Sequence, residues 1–276
     1  MVLNSGQYEL ESDFKYVWSE NNKYGKEMIF ALLHETGNNA AEIACHFGPS
    51  DHPEVPGRWQ YYGVSLPFWR SYDKEDPRRE FFYYDYTGDA KRMINLITGF
   101  HYMVPEEGVT VVPNDTTKYM QNVATMKYTY DMISDAYYDG RTICIFRLSD
   151  VILCKAEIEN NLNGPAAALP YLNQIRARAG APEYGKHNRF PAPSTKETMN
   201  DAILKERGYE LVFEFQRRAD LIRFGKYEEV VNAHLKKLGI AQPTNVTSSL
   251  RYFPYPLNDA QLNPNLAAEN PSRLPK

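Results

Sequence analysis

The feature that most constrains the fold of this chain is a pair of apolar repeats separated by Gly164-Pro165. Apolar residues recur at helical spacing on both sides of the break: Leu148, Ile152 and Ala156 before it, and Ala168, Leu169, Leu172, Ile175 and Ala179 after it. This spacing puts side chains on one face of a helix, while Gly ends helices and Pro begins them. The pattern predicts an antiparallel helical hairpin over about residues 146–179.

The hairpin has the length of a tetratricopeptide-type helix pair, and such a pair cannot bury its own apolar face. Neighbouring helices should therefore cover it, and an incomplete helical stack predicts marginal solubility or association. Helical patterning continues to about residue 239. Ser194 and Glu197 have the capping-box spacing ahead of a long helix that we expect to run past Phe215 and to end or bend at Gly225.

Upstream of residue 140 the periodicity is weaker. Residues 7–35 are predicted to begin with a helix, to break at the polar stretch 20–25, and to continue into an apolar run at 28–33 that could be a strand. Residues 37–76 are predicted to be irregular, and short strands are expected near 81–86 and 109–112. The tail from 252 to 276 holds five prolines and should be extended. The expected fold class is mostly α, with long irregular loops and a few short strands.

Composition excludes several classes of protein. The formal net charge is −4 and no basic run occurs, which argues against nucleic-acid binding. The longest apolar run is far shorter than the roughly 20 residues of a membrane-spanning helix. Cys45, Cys144 and Cys154 lack zinc-site spacing, so we expect buried thiols. The first residues show no export signal, which alone would favour the cytoplasm.

Acidic residues at positions 206, 210 and 214 share one helix stripe, and paired carboxylates could act on a glycosidic bond. Nearby arginines oppose the raised pKa that a general acid needs. The favoured interpretation is a structural ion-pair network of Glu206, Arg207, Glu210, Glu214, Arg217, Asp220 and Arg223, with no catalytic residue. We also expect no metal site: His34, Glu35, Glu42, His46, Asp51 and His52 match no ligand spacing. Phosphate-loop, dinucleotide-binding and nucleophile-elbow motifs do not occur in the sequence.

The aromatic content of 13% includes 21 tyrosines, and rings concentrate in the irregular stretch at 58–72. There they alternate with hydrogen-bonding side chains. A sugar offers apolar C–H faces and a rim of hydroxyls, so its receptor needs flat rings edged with polar groups. The sequence predicts a glycan platform made of Trp59, Tyr61, Tyr62, Trp69 and Tyr72 with Arg58 and Arg70. The alternative is that these rings simply pack a long loop onto the domain.

The C-terminal half resembles the SusD/RagB family of outer-membrane nutrient-binding lipoproteins. The resemblance is carried by four segments in family order: Phe146 to Glu157, Leu172 to Gly180, Ile203 to Gly225, and the closing Tyr255-Pro256-Leu257 and Asn263-Pro264-Asn265 through Pro271. Departures include Gly208 where the family usually has Arg, and Phe215 where it has Gly. The family's first half is expected to be missing, and the expected regions are a mid-chain region at 1–139 and a helical region at 140–276.

The resemblance implies a tetratricopeptide-type helical scaffold and a protein that binds oligosaccharide without catalysis and without a cofactor. It also implies delivery of the ligand to a SusC-like TonB-dependent transporter, on the outer surface of the outer membrane. The lipid anchor that would attach the protein there belongs to the N-terminal part. Two rival hypotheses remain: a cytoplasmic helical-repeat scaffold that binds peptides or proteins, and a glycoside hydrolase using Glu206 and Glu210.

Overall fold

The computed structural model describes residues 2–35, 41–49, 52, 53, 55, 58–87, 101–104, 117–120, 122–131, 140–237, 246–253 and 255–269. The chain divides into two compact units, Met1–Glu210 and Leu211–Lys276. In the described ranges no helix is both long and apolar enough to cross a bilayer. The predicted strand at 109–112 lies outside the described residues.

The predicted helical hairpin is confirmed. Helix α3 spans Leu148–Asn163 and helix α4 spans Pro165–Arg178, joined by Gly164 at φ 89° and ψ 176°. Few residues other than glycine adopt such a backbone. A third helix, α5, spans Lys196–Glu210 and packs on both members of the hairpin. Leu153, Leu172 and Ile203, one from each of these helices, are fully buried.

The start of α5 is capped one residue later than predicted. The hydroxyl of Thr195, not of Ser194, accepts a hydrogen bond from the backbone N–H of Thr198 at 3.2 Å. In return, the Thr198 hydroxyl accepts one from the Thr195 N–H at 3.0 Å. This is the reciprocal pattern of a capping box, with Thr in place of the acidic partner.

Short strands carry the chain between the helices and the irregular regions. Strand β1, Met28–Leu32, pairs antiparallel with a distant strand, Ile143–Arg147, which leads directly into α3. The other strands among the described residues form two three-stranded sheets. One consists of Val64–Ser65, Asn122–Thr125 and Phe82–Tyr83, the other of Asp85–Thr87, His101–Met103 and Thr117–Tyr119. Two short helices flank the strand Val64–Ser65 in sequence: α1, Ile43–Phe47, and α2, Leu66–Arg70.

The prediction of a helix at the start of residues 7–35 is wrong. That segment holds only two 3₁₀ turns, Tyr16–Trp18 and Glu20–Asn22, before β1. Phe14, Val17 and Trp18 are nevertheless buried. The segment is therefore anchored by its aromatic side chains and not by a continuous apolar helix face.

The second unit, Leu211–Lys276, is also helical. Helix α6 spans Arg217–Arg223, α7 spans Tyr227–Lys237, α8 spans Leu257–Leu262 and α9 spans Pro264–Glu269. The predicted single helix through Phe215 is wrong, because α5 ends at Glu210. The predicted extended tail is also wrong at α8 and α9, since Pro256 and Pro264 stand at helix starts, where the missing N–H costs nothing.

Candidate functional site

The exposed aromatic residues of the irregular stretch lie over the end of α1. Three backbone hydrogen bonds fix the crossing segment: Trp59 N–H to Cys45 O at 2.7 Å, Gln60 N–H to Gly48 O at 3.0 Å, and Tyr62 N–H to His46 O at 3.1 Å. Gln60 adopts φ 50°, which turns the chain between Trp59 and Tyr61. The backbone below these rings is therefore tied to a helix, although it has no regular structure itself.

Trp59, Tyr61 and Tyr62 form what we call the aromatic platform. Their exposed fractions are 37%, 64% and 55%. All three surround the imidazole of His46, with ring centroids 5.1, 5.4 and 6.1 Å from it, and Trp59 lies 5.5 Å from Tyr61. The arrangement offers a ligand several adjoining aromatic surfaces held by one central ring.

Buried residues support the platform from below. The ring of Phe47 packs against Tyr62 at 5.3 Å and against Tyr128 at 5.0 Å. Arg58 is buried, and its guanidinium donates to the Cys45 sulfur at 3.5 Å. A Cβ at Gly48 would stand 2.7 Å from the Arg58 side chain, so glycine permits this close approach. Arg58 thus lies beneath the platform and not at its rim, which is the position predicted from the sequence.

Trp69 and Tyr72 depart from the predicted platform because both are buried. The indole N–H of Trp69 donates to Arg79 O at 3.2 Å, and the Arg79 guanidinium lies 3.9 Å from the ring centre. Tyr72 stacks on Tyr209 at 4.2 Å and donates to its carbonyl oxygen at 3.1 Å. Burial raises the pKa of the Tyr72 hydroxyl well above its ordinary value. Neither ring offers an open face to a ligand.

Glu206 and Glu210 belong to a buried group of charges that we call the ion cluster: Glu27, Asp76, Arg78, Lys127, Arg147, Arg176, Arg178, Glu206 and Glu210. Arg78 donates to Glu206 at 2.7 Å and to Glu210 at 3.0 Å. Arg147 bridges Glu210 at 2.7 Å and Glu27 at 2.5 Å. Their partners come from distant parts of the chain, so the sequence spacing used in the prediction does not identify them.

The other members of the predicted ion-pair network are Arg207, Glu214, Arg217, Asp220 and Arg223. Arg207 pairs with Asp150 at 2.7 Å. In the second unit, Asp220 pairs with Arg223 at 3.1 Å. Glu214 is buried in the turn before α6, and Arg217 is the first residue of that helix.

The state of Glu210 bears on the hydrolase hypothesis. Burial by itself raises the pKa of the Glu210 carboxyl, but the guanidiniums of Arg178, Arg147 and Arg78 outweigh it and hold that pKa well below its usual range. Such a carboxyl is ionised at neutral pH and cannot serve as a general acid. Glu206 and Glu210 are also both buried, away from any substrate. The geometry fits a structural role.

The histidines of residues 34–52 have contacts other than metal ligands. His34 Nδ1 lies 3.1 Å from Arg141 O, and His46 Nε2 lies 3.8 Å from Glu42. Asp51 lies outside the described residues. Within the described part of the chain, no group of three or more His, Cys, Asp or Glu residues is arranged to hold a metal. Sequence reasoning missed His46 as the centre of the platform, since nothing in the local sequence links it to Trp59.

The SusD family model matches residues 26–272 of the chain. A SusD-like protein of Formosa agariphila is 39% identical over 120 residues, which are 44% of this chain and 22% of that protein. The starch-binding protein SusD of Bacteroides thetaiotaomicron is 28% identical over 137 residues, 49% of this chain and 22% of that protein.

Solved structures share the fold. Surface glycan-binding protein A from Bacteroides thetaiotaomicron in complex with laminarihexaose has a TM-score of 0.65 at 20% identity, covering 99% of this chain and 56% of that one. A SusD superfamily protein from Parabacteroides distasonis has a TM-score of 0.68 at 20% identity, covering 96% and 54%. The chain thus spans about half the length of these solved relatives.

Proposed function

Because this chain belongs to the SusD family, we propose that it binds oligosaccharide on the aromatic platform and does not catalyse a reaction. The observation that supports this proposal is the exposure of Trp59, Tyr61 and Tyr62 on a backbone that is tied to α1. Large aromatic side chains are normally buried, so three adjacent exposed rings are a feature to explain. Flat rings suit the C–H faces of a sugar.

The names of structural relatives suggest which sugars to test first. One relative was solved with laminarihexaose and another is described as laminarin-binding. A curated relative is described as starch-binding. Laminarihexaose and maltoheptaose are therefore the first probes for this chain. The absence of catalysis is supported by the burial and the ion pairing of Glu206 and Glu210.

We further propose that the glycan-bound protein acts at the outer surface of the outer membrane and delivers its ligand to a SusC-like TonB-dependent transporter. A lipid anchor would hold it there. Family membership supports this part of the proposal. Co-purification of the full-length protein with an outer-membrane transporter from the native cell would test it, and recovery of the protein without such a partner would oppose it.

The platform itself is tested by calorimetric titration of both probes. We expect Trp59→Ala and Tyr61→Ala each to weaken binding by about tenfold, since removing a central aromatic anchor costs on the order of 1–2 kcal/mol. Tyr24→Ala is the matched control, because Tyr24 is 78% exposed and is not part of the platform. It should leave binding unchanged.

The same variants separate the proposal from the peptide-scaffold hypothesis. A groove of 950 Å³ runs along α3, lined in part by Tyr8, Leu10, Val151, Ile158 and Tyr171. A peptide-binding scaffold would use such a helix groove, and its binding would survive in the Trp59→Ala and Tyr61→Ala double variant. Glycan binding that persists unchanged in that double variant would contradict the proposal that the aromatic platform binds the ligand.

A further inference from the structure

A second depression, of 340 Å³, lies in the first unit and shares no residue with the aromatic platform. Four segments line it: residues 70–76 from the end of α2 onward, Arg176 of α4, residues 189 and 190 in the connection between α4 and α5, and one face of α5. Its floor includes the buried side chains of Tyr72, Asp76 and Tyr209. We call it the cationic cleft and define it by Arg70, Lys74, Arg189, Phe190, Lys205 and Tyr209.

The mouth of the cationic cleft carries more positive than negative charge. Its acidic residues, Asp73 and the adjacent Glu75, are both held by Arg189, at 3.0 Å and 2.7 Å. In the described part of the chain, Lys74 and Lys205 have no carboxylate within ion-pair distance, and both are exposed. The Lys205 ammonium instead lies 5.7 Å from the centre of the Tyr209 ring.

Deeper charges in the cleft cancel one another. Asp76 pairs with Arg78 at 2.8 Å, and Arg176 pairs with Glu206 at 2.7 Å. The excess positive charge at the mouth of the cleft therefore comes from the exposed lysines, Lys74 and Lys205. A local positive field on a chain whose net charge is −4 favours an anionic ligand at this position.

Phe190 gives the cleft an apolar wall. Its ring packs edge to face on Tyr184 at 5.7 Å and lies 4.9 Å from the Arg176 guanidinium, which fixes its position. Phe190, Arg189 and Lys205 also line an adjoining groove of 590 Å³. A ligand lying across Phe190 could thus extend from the cleft into the groove. The cleft volume is at the small end of ligand pockets, which suits one or two sugar rings.

We propose that the cationic cleft is a second saccharide site, one that takes a sugar residue bearing a carboxylate or a sulfate ester. Lys74 and Lys205 contact the anionic group, and Phe190 contacts the face of the sugar ring. This inference rests on the proposed function in taking a saccharide as the ligand. It uses none of the platform residues, so the two sites can fail separately.

The test is a calorimetric titration with trigalacturonate and with a sulfated neocarrabiose, using neutral galactotriose and inorganic sulfate as reference probes. We expect the Lys74→Gln and Lys205→Gln double variant to lose about tenfold in affinity for an anionic probe, since each exposed charge contributes about threefold. Rising salt should weaken binding in the native chain. Lys26→Gln, which removes an exposed lysine outside the cleft, should behave as the native chain.

The outcomes assign the chemistry. Binding of trigalacturonate alone supports a carboxylate site, and binding of the sulfated sugar alone supports a sulfate-ester site. Phe190→Ala should weaken either sugar and leave inorganic sulfate unchanged. The inference is overturned if neither anionic sugar binds the native chain, if the lysine double variant binds as the native chain does, or if inorganic sulfate binds as tightly as the sulfated sugar. Laminarihexaose and maltoheptaose, titrated in the same preparations, report on the platform independently.

Discussion

At the scale of single residues, Glu210 is held through both its side chain and its backbone carbonyl oxygen. Its carboxylate accepts hydrogen bonds from Arg78, Arg147 and Arg178. Its carbonyl oxygen accepts from Lys127 at 2.9 Å and from Arg147 at 2.8 Å. Buried charges are costly unless they are balanced, and loss of this one carboxylate leaves the five cations of the ion cluster with three carboxylates, Glu27, Asp76 and Glu206.

We therefore predict that Glu210→Gln lowers the free energy of unfolding at pH 7 by about 3–5 kcal/mol, as measured by urea denaturation. The pKa of Glu210 is lower in the folded state than in the unfolded chain. Its contribution is thus present above the ordinary glutamate pKa of about 4.3 and is lost as the pH falls below that value toward the folded pKa. Acidification through this range should destabilise the native chain more steeply than the variant.

Glu9→Gln is the control for this prediction, since Glu9 forms an exposed ion pair with Lys26. That substitution should change stability by less than about 1 kcal/mol. Equal pH slopes in the native chain and in Glu210→Gln would show that Glu210 is not the group responsible.

At the scale of elements, the helical hairpin was predictable and the end of α5 was not. The hairpin follows from apolar spacing and from Gly164-Pro165, which are both local signals. The apolar pattern of α5 continues past Glu210, but cations from elsewhere in the chain take the Glu210 carbonyl oxygen. Those partners, Lys127 and Arg147, are too far from Glu210 in sequence to be identified from its neighbouring residues. The positive φ values of Phe213 and Phe215, 61° and 65°, mark the break that results.

The candidate site, too, could be predicted from local sequence signals but not where distant residues determine it. Composition and loop position identify the stretch that holds the rings, but they do not separate Trp59, which is exposed, from Trp69, which is buried. The difference arises from Arg79 and Tyr84, which pack on Trp69. The platform's centre, His46, likewise becomes evident only once the chain has folded back on α1.

Phe215 gives an element-scale prediction. Its side chain is exposed, and its backbone adopts the left-handed conformation at a position where the family usually has Gly. A Cβ atom destabilises this conformation by about 1–2 kcal/mol. We expect Phe215→Gly to raise the free energy of unfolding by about 1 kcal/mol, less any gain in unfolded-state entropy. Phe215→Ala retains the Cβ and should give no such gain. Equal thermal stability of the two variants would contradict this explanation.

At the scale of the whole molecule, the ion cluster connects parts of the first unit that are far apart in sequence. Glu27 stands just before β1, Arg147 ends the strand paired with it, and Arg178 ends α4. Both Glu27 and Glu210 contact Arg147 and Arg178. Two carboxylates with common partners should not act independently.

A double-mutant cycle measures this dependence. We expect Glu27→Gln and Glu210→Gln together to cost less than the sum of the single substitutions, with a coupling of about 0.5–3 kcal/mol in urea denaturation. Glu159→Gln serves as the comparison, because Glu159 pairs with Lys155 and shares no partner with Glu210. The effects of Glu159→Gln and Glu210→Gln on the free energy of unfolding should be additive to within about 0.5 kcal/mol. An additive Glu27 and Glu210 pair would mean that the cluster is several separate contacts.

The ion cluster also holds both ends of the segment that carries the aromatic platform. Glu27 precedes β1 on one side, and Asp76 and Arg78 follow α2 on the other. A loop clamped at both ends can change length cheaply, since doubling it adds only about 0.6 kcal/mol of closure entropy. Insertions or deletions between α1 and α2, where the aromatic platform lies, would therefore reshape the ligand-facing surface while the ion cluster keeps its geometry. The ion cluster would thus form a constant base, while the loop above it is free to change in length and in ligand specificity.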